Sequence, residues 1–388
     1  MSKLKVSALQ GLSASSDAIT LANDGTCTAN ITNRSNRNIL INGGMGIAQR
    51  YSSSTSHPAY GADRWRWGFG NHSAGTVTAS QQSLSSSDTG PWEKGFRNYT
   101  RLALGQAGTA AANTYISMRY KVEAQDIANS GWDYTSASSD ITISFWFRCS
   151  TNQTFYFEVK SDDGTAQSYV FSFTASGNNT WTKVTKTIPG NSNIQINNDN
   201  GSGLSLWIYQ FYGTDYSNNK TLDQWAAYSG SNIMPDMAST WLTAGASTWD
   251  LTGVQLEVGS HSTDYEFRSY GQELALCQRY YYVLADGSAA ADEYVGNGRA
   301  WSSSQAELTA RWPVVMRSAP SLVHPTGTNY YQWRNGSNET YLDSIDITNA
   351  TTRSAIIYKA GTSGLTAGGA YRVQLGNASA YLHFNAEL

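Results

Sequence analysis

Five histidines, three cysteines and a scatter of carboxylates are the side chains of this 388-residue sequence that could do chemistry. His57, His72, His261, His324 and His383 stand far apart. None has a second His or Cys at the short spacing that presents two ligands to one metal ion. Asp63 and Asp264 could join a histidine and a serine in a nucleophilic set, but no Gly-x-Ser-x-Gly elbow holds a serine for it. Gly43-Gly44-Met45-Gly46 is not followed by the Lys-Ser/Thr of a phosphate-binding loop, and Gly108-Thr109-Ala110 lacks its spacing. Glycoside cleavage needs two carboxylates flanking one bond. Glu93, Asp133, Asp140, Glu158, Asp215 and Asp223 form no such pattern, and Asp162-Asp163-Gly164 reads as a turn. Cys27, Cys149 and Cys277 are odd in number and lack CxxC spacing, which predicts neither a disulfide framework nor a zinc site. The expectation is a protein that is not an enzyme, with no catalytic residues, no metal and no cofactor.

Binding chemistry is more visible. In Ile141-Thr142-Ile143-Ser144-Phe145-Trp146-Phe147-Arg148-Cys149 the odd positions are apolar, as along a half-buried strand. Phe155–Lys160, Tyr169–Phe173 and Leu204–Tyr209 repeat the alternation. If Phe145, Phe147, Phe157, Leu206 and Ile208 face a core, then Trp146, Tyr156, Trp207 and Tyr209 face away from it. An exposed aromatic platform can stack on the apolar face of a sugar ring, with Arg148 and Glu158 bonding its hydroxyls. The same aromatics could instead pack under a loop or an extra strand, or form a subunit interface. Trp65, Trp67, Trp92, Trp132, Tyr212, Tyr216 and Trp225, read as loop aromatics, carry the same ambiguity.

The elements that must hold these residues are short strands divided by turn clusters: 161–164, 176–179 and 198–203. Their number predicts an all-β fold, with a β-sandwich over residues 41–268. Tyr270, Leu274, Cys277 and Tyr281 recur at helical spacing, and Ser269 with Gln272 has the form of a capping box. A helical connector is therefore expected over 269–284. A smaller β domain follows over 285–388, with strands at Glu307–Val315, Ser354–Tyr358, Tyr371–Leu375 and Tyr381–Phe384. Residues 1–40 carry short β-like pieces around Asn23-Asp24-Gly25 and too few large apolar side chains to bury a core. The reading is an attachment segment docked on a partner or intertwined with copies of itself, with Leu4, Val6, Leu9, Leu12, Ile19 and Leu21 as its contacts. The other reading is an arm packed on its own domain.

Composition narrows the partners. Charged residues make only 14% of the chain, with 26 Lys+Arg against 29 Asp+Glu and a net charge of −3. That predicts neither a nucleic-acid groove nor a polybasic face for lipid. Aromatics reach 12%, including 13 Trp and 24 Tyr, so the chain can build packed cores. No apolar run suits a membrane span, and the N-terminus has no h-region of a signal peptide.

Three stretches carry a resemblance. Asn38-Ile39-Leu40-Ile41-Asn42-Gly43-Gly44-Met45-Gly46-Ile47-Ala48-Gln49-Arg50, followed by Tyr60-Gly61-Ala62-Asp63-Arg64-Trp65, resembles the domain start of marine phage tail-fibre-type proteins. Leu251–Ser260, continuing through Asp264–Tyr270 to Glu273–Tyr281, resembles the closing strand and helix of the same domain. Arg311–Pro320 resembles the opening of their C-terminal β domain. The Gln255–Gly259 strand is also similar to that of carbohydrate-binding-module jelly rolls. The resemblance implies a jelly-roll sandwich, a virion appendage and a homotrimer anchored to tail or capsid proteins by its N-terminal segment. It implies synthesis in the host cytoplasm and a host surface polysaccharide as the target, and it supplies no catalytic residue. No long triple-stranded shaft is present, so a short fibre, a spike or a capsid-attached decoration protein fits better than a long fibre. A glycan-depolymerising spike is the alternative from another class.

Overall fold

The structure is a computed structural model that describes residues 6–12, 18–21, 27–29, 36–287, 293–336 and 338–388. It is all-β, a jelly-roll sandwich followed by a smaller β domain, with a short helix between them. Six strands form one sheet of the sandwich, in the order Thr182–Pro189, Asp140–Cys149, Thr248–Val258, Asn98–Leu104, Val77–Ser83, Ser53–Ser54. Seven form the other: Trp225–Ala227, Gln167–Ser176, Asn152–Ser161, Ser202–Tyr212, Tyr115–Glu123, Trp65–Gly70, Ala59–Ala62. Every named pairing is antiparallel.

The alternation read from the sequence is what closes the sandwich. Phe145, Phe147, Phe157, Leu206 and Ile208 all lie in one buried core with Trp65, Trp67, Trp241 and Trp249. Phe145 stacks on Phe157 across the two sheets, with centroids 5.5 Å apart. Each such ring contributes about 1.5–3 kcal/mol by leaving water. Trp65 and Trp67 are therefore not loop aromatics: they are the inward positions of a strand, at most 1% exposed.

The segments that resemble a domain start and a domain end meet in space. Glu266 accepts the backbone N–H groups of Asn36 and Asn38. Arg268 donates to the carbonyls of Asn38 and Leu40. The Asn42 side chain donates to the carbonyls of Ile47 and Asp63, and Trp65 Nε1 donates to the Asn42 carbonyl at 3.0 Å. The two ends of the sandwich are thus clasped by polar groups whose valences are satisfied locally.

The helix spans Tyr270–Gln278, and Ser269 with Gln272 forms the expected capping box. It ends a turn earlier than its sequence spacing predicts. Tyr281 opens the strand Tyr281–Ala285 instead, and Tyr270 is 69% exposed. Cys277 and Tyr280 form the buried contact, against Ile41 and Ile47.

Beyond it, Tyr281–Ala285 pairs with Leu382–Asn385, which pairs with Ser321–Val323. A seven-stranded sheet faces this layer around Tyr331, Trp333, Ile357, Val373 and Phe384. The strand expected over Glu307–Val315 stops at Arg311, just ahead of Trp312-Pro313, because Pro313 has no N–H for the ladder. Near the N-terminus, Ala8–Leu9, Ile19–Leu21 and Cys27–Ala29 pair as a three-stranded antiparallel sheet. The Asn23-Asp24-Gly25 turn and Leu4 lie outside the described residues.

Candidate functional site

Strand parity sends the predicted aromatics outward, but from two different sheets. Trp146 and Arg148 leave the six-stranded sheet, while Tyr156, Glu158, Trp207 and Tyr209 leave the seven-stranded sheet. The sandwich lies between them, so the single platform expected from the sequence does not form. Parity fixes which way a side chain points relative to its own sheet, and it is silent on which sheet a strand joins.

On the six-stranded side, Arg148 is committed to the fold. Its Nε donates to Asp250 Oδ2 at 2.7 Å, its guanidinium pairs with Asp88, and Nη2 donates to the Tyr99 hydroxyl at 3.0 Å. Arg101 holds the same Asp250 through two further bonds of 2.8 Å. With its donors taken, Arg148 is not free to read a sugar. Trp146 is half-covered by the segment 84–97: a Cβ on Gly90 would come within 2.7 Å of its ring. It lines a cleft of about 370 Å³ together with Lys94, Lys183 and Phe267. The cleft's ridge is a ring cluster of Phe96, Tyr265 and Phe267, with centroids 4.8 to 5.1 Å apart. Gly253 makes this possible. It sits in a bulge with φ of +64°, and any side chain there would meet the Phe96 ring at 2.6 Å.

On the seven-stranded side the outer face divides in two. One half is roofed by the segment 213–237. Ile233 and Met234 pack there on Tyr156, Val170, Tyr209 and Tyr212. Tyr209 is 2% exposed and Glu158 is fully buried, so neither can meet solvent, and Tyr156 is nearly covered. Glu158 accepts from Ser168 Oγ at 2.6 Å and from the Tyr209 hydroxyl. Burial pushes its carboxyl above the usual range, although these two donors pull it back. Here the reading in which the aromatics pack under a loop is the correct one.

The other half is open. Cα register places Tyr60, Arg66, Arg119, Trp207 and Glu158 in one row across five strands. Trp207 stands where the cover ends, partly buried, its ring parallel to that of Tyr209 at 6.1 Å and 6°. The Arg119 guanidinium lies over the Trp207 ring, 5.3 Å from its centroid. The next row is Lys121, Ser205, Lys160 and Ser168. Lys160 is held by Asp162 at 3.2 Å and lies 4.6 Å over Tyr228 at the rim of the cover. At the opposite rim, Arg119 donates to the Leu388 carbonyl at 3.4 Å. The open half is therefore a polar, partly aromatic strip between the covering segment and the C-terminal β domain.

Of the residues expected to bind, only Trp207 faces this strip. Tyr60, Arg66, Arg119 and Lys121 face it too, and none of them belongs to the aromatic face expected from strand alternation. Their outward direction was readable in Trp65-Arg66-Trp67 and in Met118-Arg119-Tyr120-Lys121-Val122. Their convergence was not, because it depends on strand order.

Cys149 and Cys277 are buried free thiols, raised above their ordinary range by burial, Cys149 to about 12. Among the described residues, no three His, Cys, Asp or Glu side chains gather in a way that could hold a metal ion. None of the described helices is long and apolar enough to cross a membrane.

No protein-family model matches the chain, and no curated protein sequence matches it. Similar solved structures exist. The enzymatically active domain of tailspike protein 4 of bacteriophage CBA120 is similar over 57% of this chain, at 9% identity and a TM-score of 0.29, and this chain covers only 22% of its length. A carbohydrate-binding module in complex with β-1,4-galactotriose is similar over 58% of this chain and 99% of its own, at 11% identity and a TM-score of 0.28. A family 11 carbohydrate-binding module from Clostridium thermocellum, in complex with a mixed-linked tetrasaccharide, is similar over 54% of this chain and 98% of its own, at 12% identity and a TM-score of 0.26. Likeness at these levels lends this chain neither an activity nor a residue role.

Proposed function

We propose that this chain is a virion structural protein of a tailed bacteriophage, a tail fibre or short spike that binds host surface glycan without cleaving it. The observation that carries the glycan reading is the open strip beside Trp207. It combines an outward indole, tyrosine at its far end and multiple hydrogen-bond donors on rigid strands, the arrangement that fits a sugar ring and its hydroxyls. The carboxylates of this face support binding rather than hydrolysis. Glu158 is buried under the cover, and Asp162 is occupied by Lys160, Ser202 and Ser205. They do not form a free pair flanking a bond.

The virion placement rests on the sequence resemblance of residues 38–65 and 251–281. Attachment through the N-terminal segment is supported by its apolar side chains: Val6, Leu9, Leu12 and Leu21 are 39%, 49%, 106% and 38% exposed in the single chain. Covering them with a partner or with two further copies would remove apolar surface from water. The homotrimer and the choice between tail and capsid belong to this proposal.

The decisive experiment pairs two variants. Trp207→Ala weakens binding of the full chain to host polysaccharide at least tenfold while Trp146→Ala leaves it unchanged, both with native thermal unfolding. Equal binding by Trp207→Ala and the parent overturns the glycan reading, and shortened polysaccharide chains after incubation overturn the non-catalytic one. A monomeric mass by light scattering overturns the homotrimer.

A further inference from the structure

The open strip gathers more positive than negative charge: Arg66, Arg119 and Lys121 share it with Asp162, which is itself paired with Lys160. Arg66 and Arg119 are Cα partners on adjacent strands, and both point outward. Lys121, two residues on, leaves the same face. Among the described residues, the Arg66 guanidinium and the Lys121 ammonium make no hydrogen bond or ion pair, while Arg119 donates to a main-chain oxygen of Leu388 and lies over the Trp207 ring. Like charges placed directly opposite each other across a sheet are destabilising. The titration of the neighbours records this. Burial, then Arg66, push Arg119 below its ordinary range; burial, then Arg119, lower Lys121; burial, then Arg66, lower His57. Asp162 draws both Arg119 and Lys121 the other way, but its carboxylate is already paired with Lys160. The whole chain carries −3, so folding concentrates these cations against the overall balance. A cost of that kind on a rigid face fits a site made to receive negative charge.

We propose that Arg66, Arg119 and Lys121 receive the carboxylates of an acidic polysaccharide laid along the strip beside Trp207. This rests on the glycan-binding reading and adds to it the chemical class of the ligand. Tyr60 to Trp207 spans four neighbouring strands, about 14 Å at the usual strand spacing. That is room for several sugar units laid across the strands. A ring carboxylate is planar and rigidly attached, and it meets a planar guanidinium fork through two parallel bonds. The neighbouring Arg119 is already held over the Trp207 indole, next to Arg66 on the adjacent strand.

The test uses the full chain and three polymers: a neutral galactan, a polyuronate and a sulfated galactan. The expected result is tightest binding to the polyuronate, falling as salt rises. Arg66→Gln and Arg119→Gln each weaken that binding at least tenfold, whereas Lys94→Gln, in the loop segment on the other side of the sandwich, has no effect. Arg66→Gln also keeps or raises the unfolding temperature, because it removes a like-charge contact; a structural arginine would lower it. Polyuronate binding no tighter than galactan binding, or equally tight in Arg66→Gln, overturns the acidic assignment and leaves the glycan reading standing if Trp207→Ala still loses the galactan. Preference for the sulfated polymer overturns the carboxylate. Failure to bind any of the three overturns both readings.

Discussion

Arg279 grips Glu123 through two parallel hydrogen bonds of 2.7 Å, one from Nε and one from Nη2. Glu123 ends a sandwich strand and is fully buried; Arg279 follows the helix that leads into the C-terminal β domain. The Tyr280 hydroxyl donates to the same carboxylate, and Arg279 Nη1 donates to the Val315 carbonyl at 3.3 Å. One carboxylate thus ties the helix and the C-terminal domain to the end of an inner strand of the seven-stranded sheet. Removing it leaves a guanidinium and a phenol without their acceptor. Glu123→Ala is expected to destabilise the chain by about 3–5 kcal/mol, and Arg279→Lys to recover only part of the pair because an ammonium cannot form the fork. Denaturant unfolding checks both, and a loss under 1 kcal/mol for Glu123→Ala would contradict the assignment.

Arg148 separates a structural arginine from a sugar-reading one. It shares Asp250 with Arg101 and stacks over Tyr99 and Trp181 at 4.9 and 4.6 Å. Arg148→Ala is expected to cost about 2 kcal/mol, since Asp250 keeps Arg101 but loses one of its two cations. Polysaccharide affinity, measured below the unfolding transition, stays at the parent level. A selective loss of binding without loss of stability would return Arg148 to the site.

Glu158 gives a pH signature for the covered half of the face. Burial holds its folded-state carboxyl above the ordinary value. Between the unfolded value near 4.5 and the higher folded one, the folded state keeps a proton that the unfolded state has released. Stability from this group therefore falls as pH rises through that window. Glu158→Gln removes the titration while retaining groups that can bond Ser168 and Tyr209. Unfolding at pH 4 and pH 8 should show the variant gaining on the parent at the higher pH. A difference that does not change with pH would exclude this role.

What the sequence made legible was local. Alternation identified the inward faces of Asp140–Cys149 and Ser202–Tyr212 correctly, and Ser269 with Gln272 located the helix start. The segments 38–50 and 251–281, which carry the resemblance, meet in the clasp where Glu266 and Arg268 close on Asn38. The site was less legible for a physical reason. Trp146 and Trp207 have the same parity yet stand on opposite sides of the sandwich, because sheet membership is set by pairings between residues about a hundred positions apart. The cover over Tyr209 comes from a segment with no strand pattern around Ile233 and Met234. Arg66 and Arg119 become neighbours only when Trp65–Gly70 pairs with Tyr115–Glu123.

His383 offers a second pH test, of opposite sign, in the C-terminal domain. It is 6% exposed, and its ring stacks on Tyr381 with centroids 4.5 Å apart. Its Nδ1 lies 2.7 Å from the Tyr281 hydroxyl, and its Nε2 has no partner among the described residues. Burial, with a smaller push from Arg50 and against the pull of Asp286, lowers its folded-state value to about 4. An unfolded histidine takes up a proton near pH 6.5, whereas the folded one stays neutral until about pH 4. Across that window the unfolded state holds the extra proton, so stability falls as pH falls, by about 3 kcal/mol in full. His383→Gln removes the titration and keeps a polar partner for Tyr281. Relative to the variant, the parent should lose stability steadily from pH 7 to pH 4 and hold a constant difference above pH 7. Parallel stability curves for the two proteins from pH 7 to pH 4 would mean that His383 is protonated in the folded state, and that the Tyr281 contact survives a buried charge.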